Sequence, residues 1–241
     1  MDVITSDRGS YALALETSSD AGGVAVGQGG SLLESAPLDS SRRHAAELLP
    51  SIAALCQRHD IQPVDIGRIY VSKGPGSFTG LRIGITVARM MAFAGGSAVV
   101  GVATMDVIAQ NALGMTPKAE RLVVLLDARR GNVYGAVYRL EGNAYVAQAH
   151  PIEAAPDTFL RDQPPETAVL GHGVTAHRGA VENSALRIFP ESLFAPRVQT
   201  VYRLGHGLAE AGQFDDPKHL VPTYIRKPSA EEVWERKHGD Q

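Results

Sequence analysis

Lys73-Gly74-Pro75-Gly76-Ser77-Phe78-Thr79-Gly80-Leu81-Arg82-Ile83-Gly84 joins a short apolar run, Ile69-Tyr70-Val71-Ser72, to a long apolar stretch that stops at Gly95-Gly96. Strand, glycine-rich turn and helix start, in that order, form a corner of an α/β domain. At such a corner the first backbone N–H groups of the helix point outward at one electropositive spot. Gly74, Gly76, Ser77 and Thr79 are therefore candidate contacts for an anion, a nucleotide or another protein's carboxylate. Glu16 and Thr17, at the end of the first strand, join them as candidates. The alternative is a tight corner with no ligand. The spacing is not that of a P-loop, whose lysine follows the last glycine, whereas Lys73 precedes the first.

The helix predicted over residues 78–94 is apolar on more than one side. Gly80, Gly84, Ala88 and Ala92 recur every four residues, a ridge of small side chains that permits close approach by another helix. Arg82, Thr86, Arg89 and Phe93 form a separate, mixed stripe. A helix apolar nearly all round is covered on both sides. The second cover is either a partner subunit or the chain's own second lobe.

Working outward, Tyr11–Leu15 reads as a buried strand ending at Glu16, followed by strands at Gly23–Val26 and Ser31–Ser35. Residues 45, 48, 49, 52 and 55 make one apolar helical face, with a kink or restart predicted at Pro50. Ser97–Val102 is a strand, and Thr104 is predicted to cap a helix running through Leu113. The plan then returns. Leu122–Leu126 is a strand ending in Asp127, strands follow at Val133–Tyr138 and Ala144–Ala147, and a short helix lies near Asp157–Arg161. Ala168–Leu170 runs into Gly171-His172-Gly173, and Val198–Gly212 closes the unit. Strand-strand-strand-helix-strand-helix thus occurs twice, by pattern rather than identity. The predicted fold is α/β, two duplicated ribonuclease-H-like lobes of the actin, hexokinase and Hsp70 type (the ASKHA superfamily). The expected divisions are a loose tail at 1–10, an N-terminal lobe at 11–105, a second lobe at 106–214, and a tail at 215–241 that returns to the first lobe.

Composition bounds the function. The 241 residues carry a net charge of −3, so no overall basic field draws nucleic acid to the chain. A single cysteine, Cys56, leaves no internal disulfide and fits a reducing compartment, so a cytoplasmic location is expected. The start has no long apolar run of the secretory kind. The most apolar region, 83–103, is broken by Arg89 and Gly95-Gly96, which argues against a membrane span.

The chemistry-bearing residues are sparse. Glu16 could hold a magnesium-bound water, and Asp127 is the matching acid of the second lobe; the alternative for both is a polar strand end facing the cleft or solvent. The eight histidines show no i, i+4 pair and no HExxH spacing; His172 and His177 are placed in a loop, and no metal site is expected. A nucleophile motif is also missing: Gly76-Ser77-Phe78-Thr79-Gly80 sets its hydroxyls differently from Gly-x-Ser-x-Gly.

The glycine segment resembles the signature of the TsaB (YeaZ) family of bacterial tRNA-modification proteins. Further likenesses lie at Leu13-Ala14-Leu15-Glu16-Thr17, at His44 with Leu48-Leu49-Pro50, and at Gly101-Val102-Ala103-Thr104. Two more are Leu126-Asp127-Ala128-Arg129 with Val133-Tyr134, and Pro222-Thr223-Tyr224-Ile225-Arg226. They span most of residues 11–229. The family usually has aspartate where Glu16 stands. The resemblance implies a paralogue of TsaD, which transfers a threonylcarbamoyl group to the adenosine next to the anticodon of tRNAs reading ANN codons. TsaD carries a metal-binding His-Met-Glu-Gly-His where this chain has Thr104-Met105-Asp106-Val107-Ile108, and neither Thr104 nor Ile108 offers an imidazole nitrogen. The implied role is therefore a non-catalytic partner: TsaD bound directly, TsaE within the complex, tRNA met only through that complex. The chain has no cofactor of its own in this reading, although ATP or ADP at the interface with TsaD is a candidate. The implied interface is His44, Leu48, Gly80, Arg82, Gly84, Ile85, Ala88, Arg89 and Ala92, a surface that could also pair two copies of the chain as a homodimer. The alternative function is an ASKHA-type phosphotransferase or ATPase. The glycoprotease label once given to this superfamily ranks last, for want of a nucleophile or zinc site.

Overall fold

The computed structural model describes residues 10–38 and 44–225. The tail expected at 1–10, apart from Ser10, and the ending from Arg226 onward lie outside the described residues. The chain runs β1 (Tyr11–Glu16), β2 (Gly23–Gln28), β3 (Ser31–Pro37), α1 (His44–Arg58), β4 (Ile66–Gly74), α2 (Phe78–Gly95), β5 (Ala98–Ala103) and α3 (Thr104–Asn111). It continues through β6 (Arg121–Arg129), β7 (Asn132–Glu141), β8 (Ala144–Ala147), β9 (Ile152–Ala154), α4 (Pro156–Arg161) and β10 (Ala168–Leu170). The last elements are α5 (His172–Ala176), α6 (Arg178–Asn183), β11 (Arg187–Ile188) and α7 (Val198–Glu210).

The first sheet has the order β3-β2-β1-β4-β5 and the second β8-β7-β6-β10-β11, with β9 added to β7. Substituting β6, β7, β8, β10 and β11 for β1 to β5 turns one order into the other. The directions match too: antiparallel meanders on one side, and parallel β1/β4/β5 and β6/β10/β11 on the other. This is the duplicated ribonuclease-H-like architecture of the actin-like ATPases.

The two lobes exchange their last helices. Met105, Ile108 and Ala109 of α3 belong to the core of the second lobe. In α7, Val198, Val201 and Tyr202 pack instead with Ala12, Ala14 and Tyr70 of the first sheet, although the chain order places this helix with the second lobe. Two buried amides fix α3 to its host. Asn111 Nδ2 donates to the carbonyls of Leu193 (3.0 Å) and Ala195 (2.8 Å), and Gln110 donates to the Tyr145 carbonyl (2.8 Å) while accepting from its N–H (3.0 Å).

Several local expectations are corrected. α1 runs unbroken through Pro50. Pro50 is exposed, so the carbonyl it leaves without a donor is on the water side. Of the predicted face, Leu48, Ile52 and Leu55 are buried, joined by Cys56, whereas Ala45 and Leu49 are exposed, because the core-facing arc follows 48, 52, 55 and 56. Burial pushes the Cys56 thiol up, as befits a core residue. Thr104 is the first residue of α3 rather than its cap; the cap position is Ala103, which has no side-chain acceptor. His172 is the first residue of a short helix, α5, and His177 is at its C-terminal end, rather than the two sharing a loop.

Beside Thr104, the Tyr138 hydroxyl donates to Asp106 Oδ1 (2.7 Å). Burial pushes the Asp106 carboxyl up, while the Tyr138 hydrogen bond and the Lys73 charge pull it back. An acid with a raised folded-state pKa adds stability below the ordinary carboxylate range and loses it as pH rises through the folded value. Asp106→Asn keeps an acceptor for Tyr138 but cannot titrate. The melting temperature of the wild type minus that of the variant should therefore rise as the pH is lowered from neutrality into the carboxylate range. A difference that stays flat with pH would contradict this account.

Candidate functional site

The glycine segment turns against the end of β1 rather than opening a cradle. The Ser77 N–H donates to the Ser18 carbonyl (2.7 Å), and Ser77 Oγ accepts from the Gly80 N–H (3.2 Å), capping α2. A Cβ at Gly76 would lie 2.4 Å from Ser18 O, one at Gly80 2.0 Å from Thr17 O, and one at Gly84 2.3 Å from Thr17 Oγ1. The three glycines are what lets the helix lie on the strand end. Gly74, with φ +107°, sits against the backbone of Thr223.

Glu16 lies beneath this corner, wholly buried. Its Oε1 accepts from the Ser18 N–H and Ser18 Oγ (both 2.6 Å), and its Oε2 accepts from Ser72 Oγ. The acid ties β1 to β4 instead of facing a ligand, and Thr17 beside it is equally buried. Glu16→Ala would strand three buried donors at a cost of about 3 kcal/mol. The expected result is a melting temperature lower by roughly 6–12 °C for a chain of this size, and an unchanged value would show that Glu16 does not hold the corner.

An interlobe cleft of about 630 Å³ remains. It brings together Ser18, Ser19, Gly76, Ser77 and Thr79 from the first lobe, Thr104 and Ile108 from α3, and Asp127, Arg129 and His172 from the second lobe. Of the candidate anion contacts, Gly76, Ser77 and Thr79 line it; Gly74, Glu16 and Thr17 are not among its lining residues. Asp127, about one-third exposed, accepts from the Arg129 N–H (2.9 Å) and pairs with His177 Nε2 (3.3 Å). Thr104 Oγ1 is buried at the cleft without a hydrogen-bond partner. Among the described residues no group of three His, Cys, Asp or Glu side chains is arranged to hold a metal ion, and no helix is long and apolar enough to cross a membrane.

The second face of interest is on α2. The small-residue ridge is turned inward: Gly80, Gly84, Ala88 and Ala92 are buried, as are Ile85 and Leu48. This corrects the expectation that they meet a partner, because the ridge meets the chain's own β1 and the core around it. Arg82 is exposed and Arg89 partly so, and His44 is the first residue of α1. At about 100° per residue, Phe78, Arg89, Arg82, Phe93, Thr86 and Met90 fall on one 120° arc. Phe78 is 45% exposed, Phe93 58% and Met90 62%, with Leu49 on α1 at 53%. The mixed stripe therefore faces out. Phe78 and Met90 were missed because a helix apolar on most sides does not reveal which arc its host sheet covers.

Part of the arc is already occupied. Residues 215–225 cross the first lobe: the Asp215 N–H donates to the Val99 carbonyl (2.8 Å), Leu220 is buried, and the Thr223 N–H donates to the Lys73 carbonyl (2.6 Å). The Tyr224 ring lies 5.5 Å from that of Phe78, Arg82 Nε donates to the Tyr224 hydroxyl (3.3 Å), and the Arg82 guanidinium sits 3.9 Å over Phe78. Arg89 Nη2 donates to the Lys218 carbonyl (3.2 Å).

Residues 32–234 match the TsaD family model, described as tRNA N6-adenosine threonylcarbamoyltransferase. The tRNA threonylcarbamoyladenosine biosynthesis protein TsaB of Bacillus subtilis is 28% identical over 92% of this chain and 96% of its own length. That of Escherichia coli is 26% identical over 95% and 99%. The solved structure of YeaZ from Pseudomonas aeruginosa superposes with a TM-score of 0.76 at 27% identity, covering 89% of this chain and all of that one. The chain belongs to the TsaB (YeaZ) family, paralogues of TsaD. In this TsaB-family chain the strand-end acid is a glutamate consumed by Ser18 and Ser72. Thr104 and Ile108 both line the cleft.

Proposed function

We propose that the chain serves tRNA threonylcarbamoyladenosine biosynthesis as a non-catalytic partner of TsaD, docking it through the outward arc of α2. TsaD then modifies the adenosine next to the anticodon of tRNAs reading ANN codons, with TsaE in the complex and tRNA met only through the assembly. The single observation that carries the reading is the row of Phe78, Met90 and Phe93 left 45–62% exposed on one side of a helix whose other side is core. Neighbouring exposed aromatic and methionine side chains are what buried interface centres are made of. Membership of the TsaB family supports the pathway, and the sealed Glu16 supports the lack of turnover, since a magnesium-handling acid has to reach its ligand. The same arc pairs two copies as a homodimer when TsaD is absent. ATP or ADP belongs, in this reading, at the interface with TsaD, and the setting is cytoplasmic.

The test is co-purification with the organism's TsaD, followed by tRNA modification with and without this chain. A stable complex, modification that needs both proteins and none by this chain alone are expected. Absence of any complex by gel filtration and calorimetry would sink the proposal. Mg·ATP turnover by the isolated chain would favour the phosphotransferase reading instead.

A further inference from the structure

A second cavity, of about 340 Å³, lies behind the glycine corner and shares no lining residue with the interlobe cleft. Its walls include Lys73 of β4, Gly101 of β5, Asp106 of α3, Leu208 of α7, and Phe214 and Asp215 from the segment after α7. Separate stretches of the chain thus bring one ammonium and two carboxylates to one hollow.

The three charged groups are held there. A Cβ at Gly101 would lie 2.6 Å from Lys73 Cδ and 3.3 Å from Asp215 Oδ2, so the glycine is what lets the lysine stem lie across β5. The Gly101 N–H donates to Asp215 Oδ2 (2.7 Å), and the Tyr138 hydroxyl donates to Asp106 Oδ1 (2.7 Å). Hydrogen-bonding capacity is left over. Lys73 Nζ stands 3.6 Å from Asp215 Oδ1, which makes an ion pair but not a hydrogen bond. Among the described residues no acceptor takes any of its three protons, and no donor reaches Asp106 Oδ2. A tether between β4 and the segment after α7 would account for Lys73 and Asp215. It leaves unexplained why Asp106, a partly buried carboxylate on a helix of the second lobe's core, lines the same hollow.

We propose that this cavity binds a free α-amino acid as its zwitterion. The ligand carboxylate accepts from Lys73 Nζ, its ammonium donates to Asp106 Oδ2 and Asp215 Oδ1, and its side chain lies against Leu208 and Phe214. One ligand charge of each sign answers the unused capacity of each sign, which a lone cation or a lone anion cannot do. Phe214, 47% exposed, has ring surface to offer. The volume stands at the small end of ligand sites, which run from about 300 to 1,000 Å³. None of this rests on the partner reading.

Titration of the full 241-residue chain followed by amide NMR tests it. The probes are L-phenylalanine and L-alanine, with phenethylamine and phenylpropionate as analogues that carry one charge each. Saturable shifts centred on the Gly101 and Phe214 amides are expected with the amino acids, and affinity for either analogue should be about tenfold lower or less, because each lacks one charged pair. Lys73→Met keeps the stem on Gly101, and Asp106→Asn keeps an acceptor for Tyr138; each should weaken L-phenylalanine by about tenfold or more. Circular dichroism checks that both are folded, and Phe214→Ser, at an exposed position, serves as a further variant that should weaken L-phenylalanine more than L-alanine. No shift with either amino acid up to about 10 mM would overturn the proposal. So would shifts centred elsewhere, an analogue that binds as tightly as L-phenylalanine, or undiminished affinity in a folded Lys73→Met or Asp106→Asn variant.

Discussion

Met90→Glu/Phe93→Glu is expected to fold like the parent and to lose at least a hundredfold in affinity for TsaD, close to 3 kcal/mol. Both side chains are more than half exposed, at 62% and 58%, and neither belongs to a core cluster. Exposed substitutions of this kind usually change stability by about 0.5 kcal/mol or less, and glutamate is a good helix former. At an interface the same changes remove two apolar anchors and ask two carboxylates to lose their water, which is where the large loss arises. Calorimetric titration with TsaD measures the affinity, and circular dichroism shows that the variant is folded. A folded variant that binds TsaD undiminished would remove the α2 arc from the interface.

Ala88→Arg is expected to have the opposite profile, with the fold lost before any interface can be tested. On sequence alone a long cation at this position would break association by sitting in a close helix contact. Ala88 is completely buried, however, in the cluster that holds Leu13, Leu15, Val71, Ile85 and Ala92. A guanidinium there has no carboxylate partner on α2 and no path to water. Its burial costs more than about 4 kcal/mol, a large share of a domain's total stability. Insoluble protein, or a melting temperature lower by more than about 8 °C, is the expected outcome. A soluble variant with parental melting would mean that the ridge is accessible after all, and would restore it as a docking face.

The difference between these two variants shows how far the sequence could be read. The period of four that joins Gly80, Gly84, Ala88 and Ala92 is visible in the residues, and so is the separate stripe through Arg82, Thr86, Arg89 and Phe93. Which of the two faces the sheet is not, because small residues suit a strand end as well as a neighbouring helix. The strand-end acid has the same ambiguity. Glu16 at the end of an apolar strand fits a ligand site and a structural tie equally, and the deciding partner, Ser72, lies fifty-six residues away. Elements of the second lobe such as β9, α5, α6 and β11 are short, from two to six residues. Runs of that length show too little of either period to be told from loop.

By itself the sequence determined the duplicated α/β plan, the glycine corner after β4 and the family. These are local or repeating features, written in spacing and residue type. Only the tertiary structure decided that α7 packs on the first lobe, that the small-residue ridge belongs to the core, and that Phe78, Met90 and Phe93 are left outside with the mixed stripe. Burial depends on which surfaces meet, and those meetings join residues far apart in the chain.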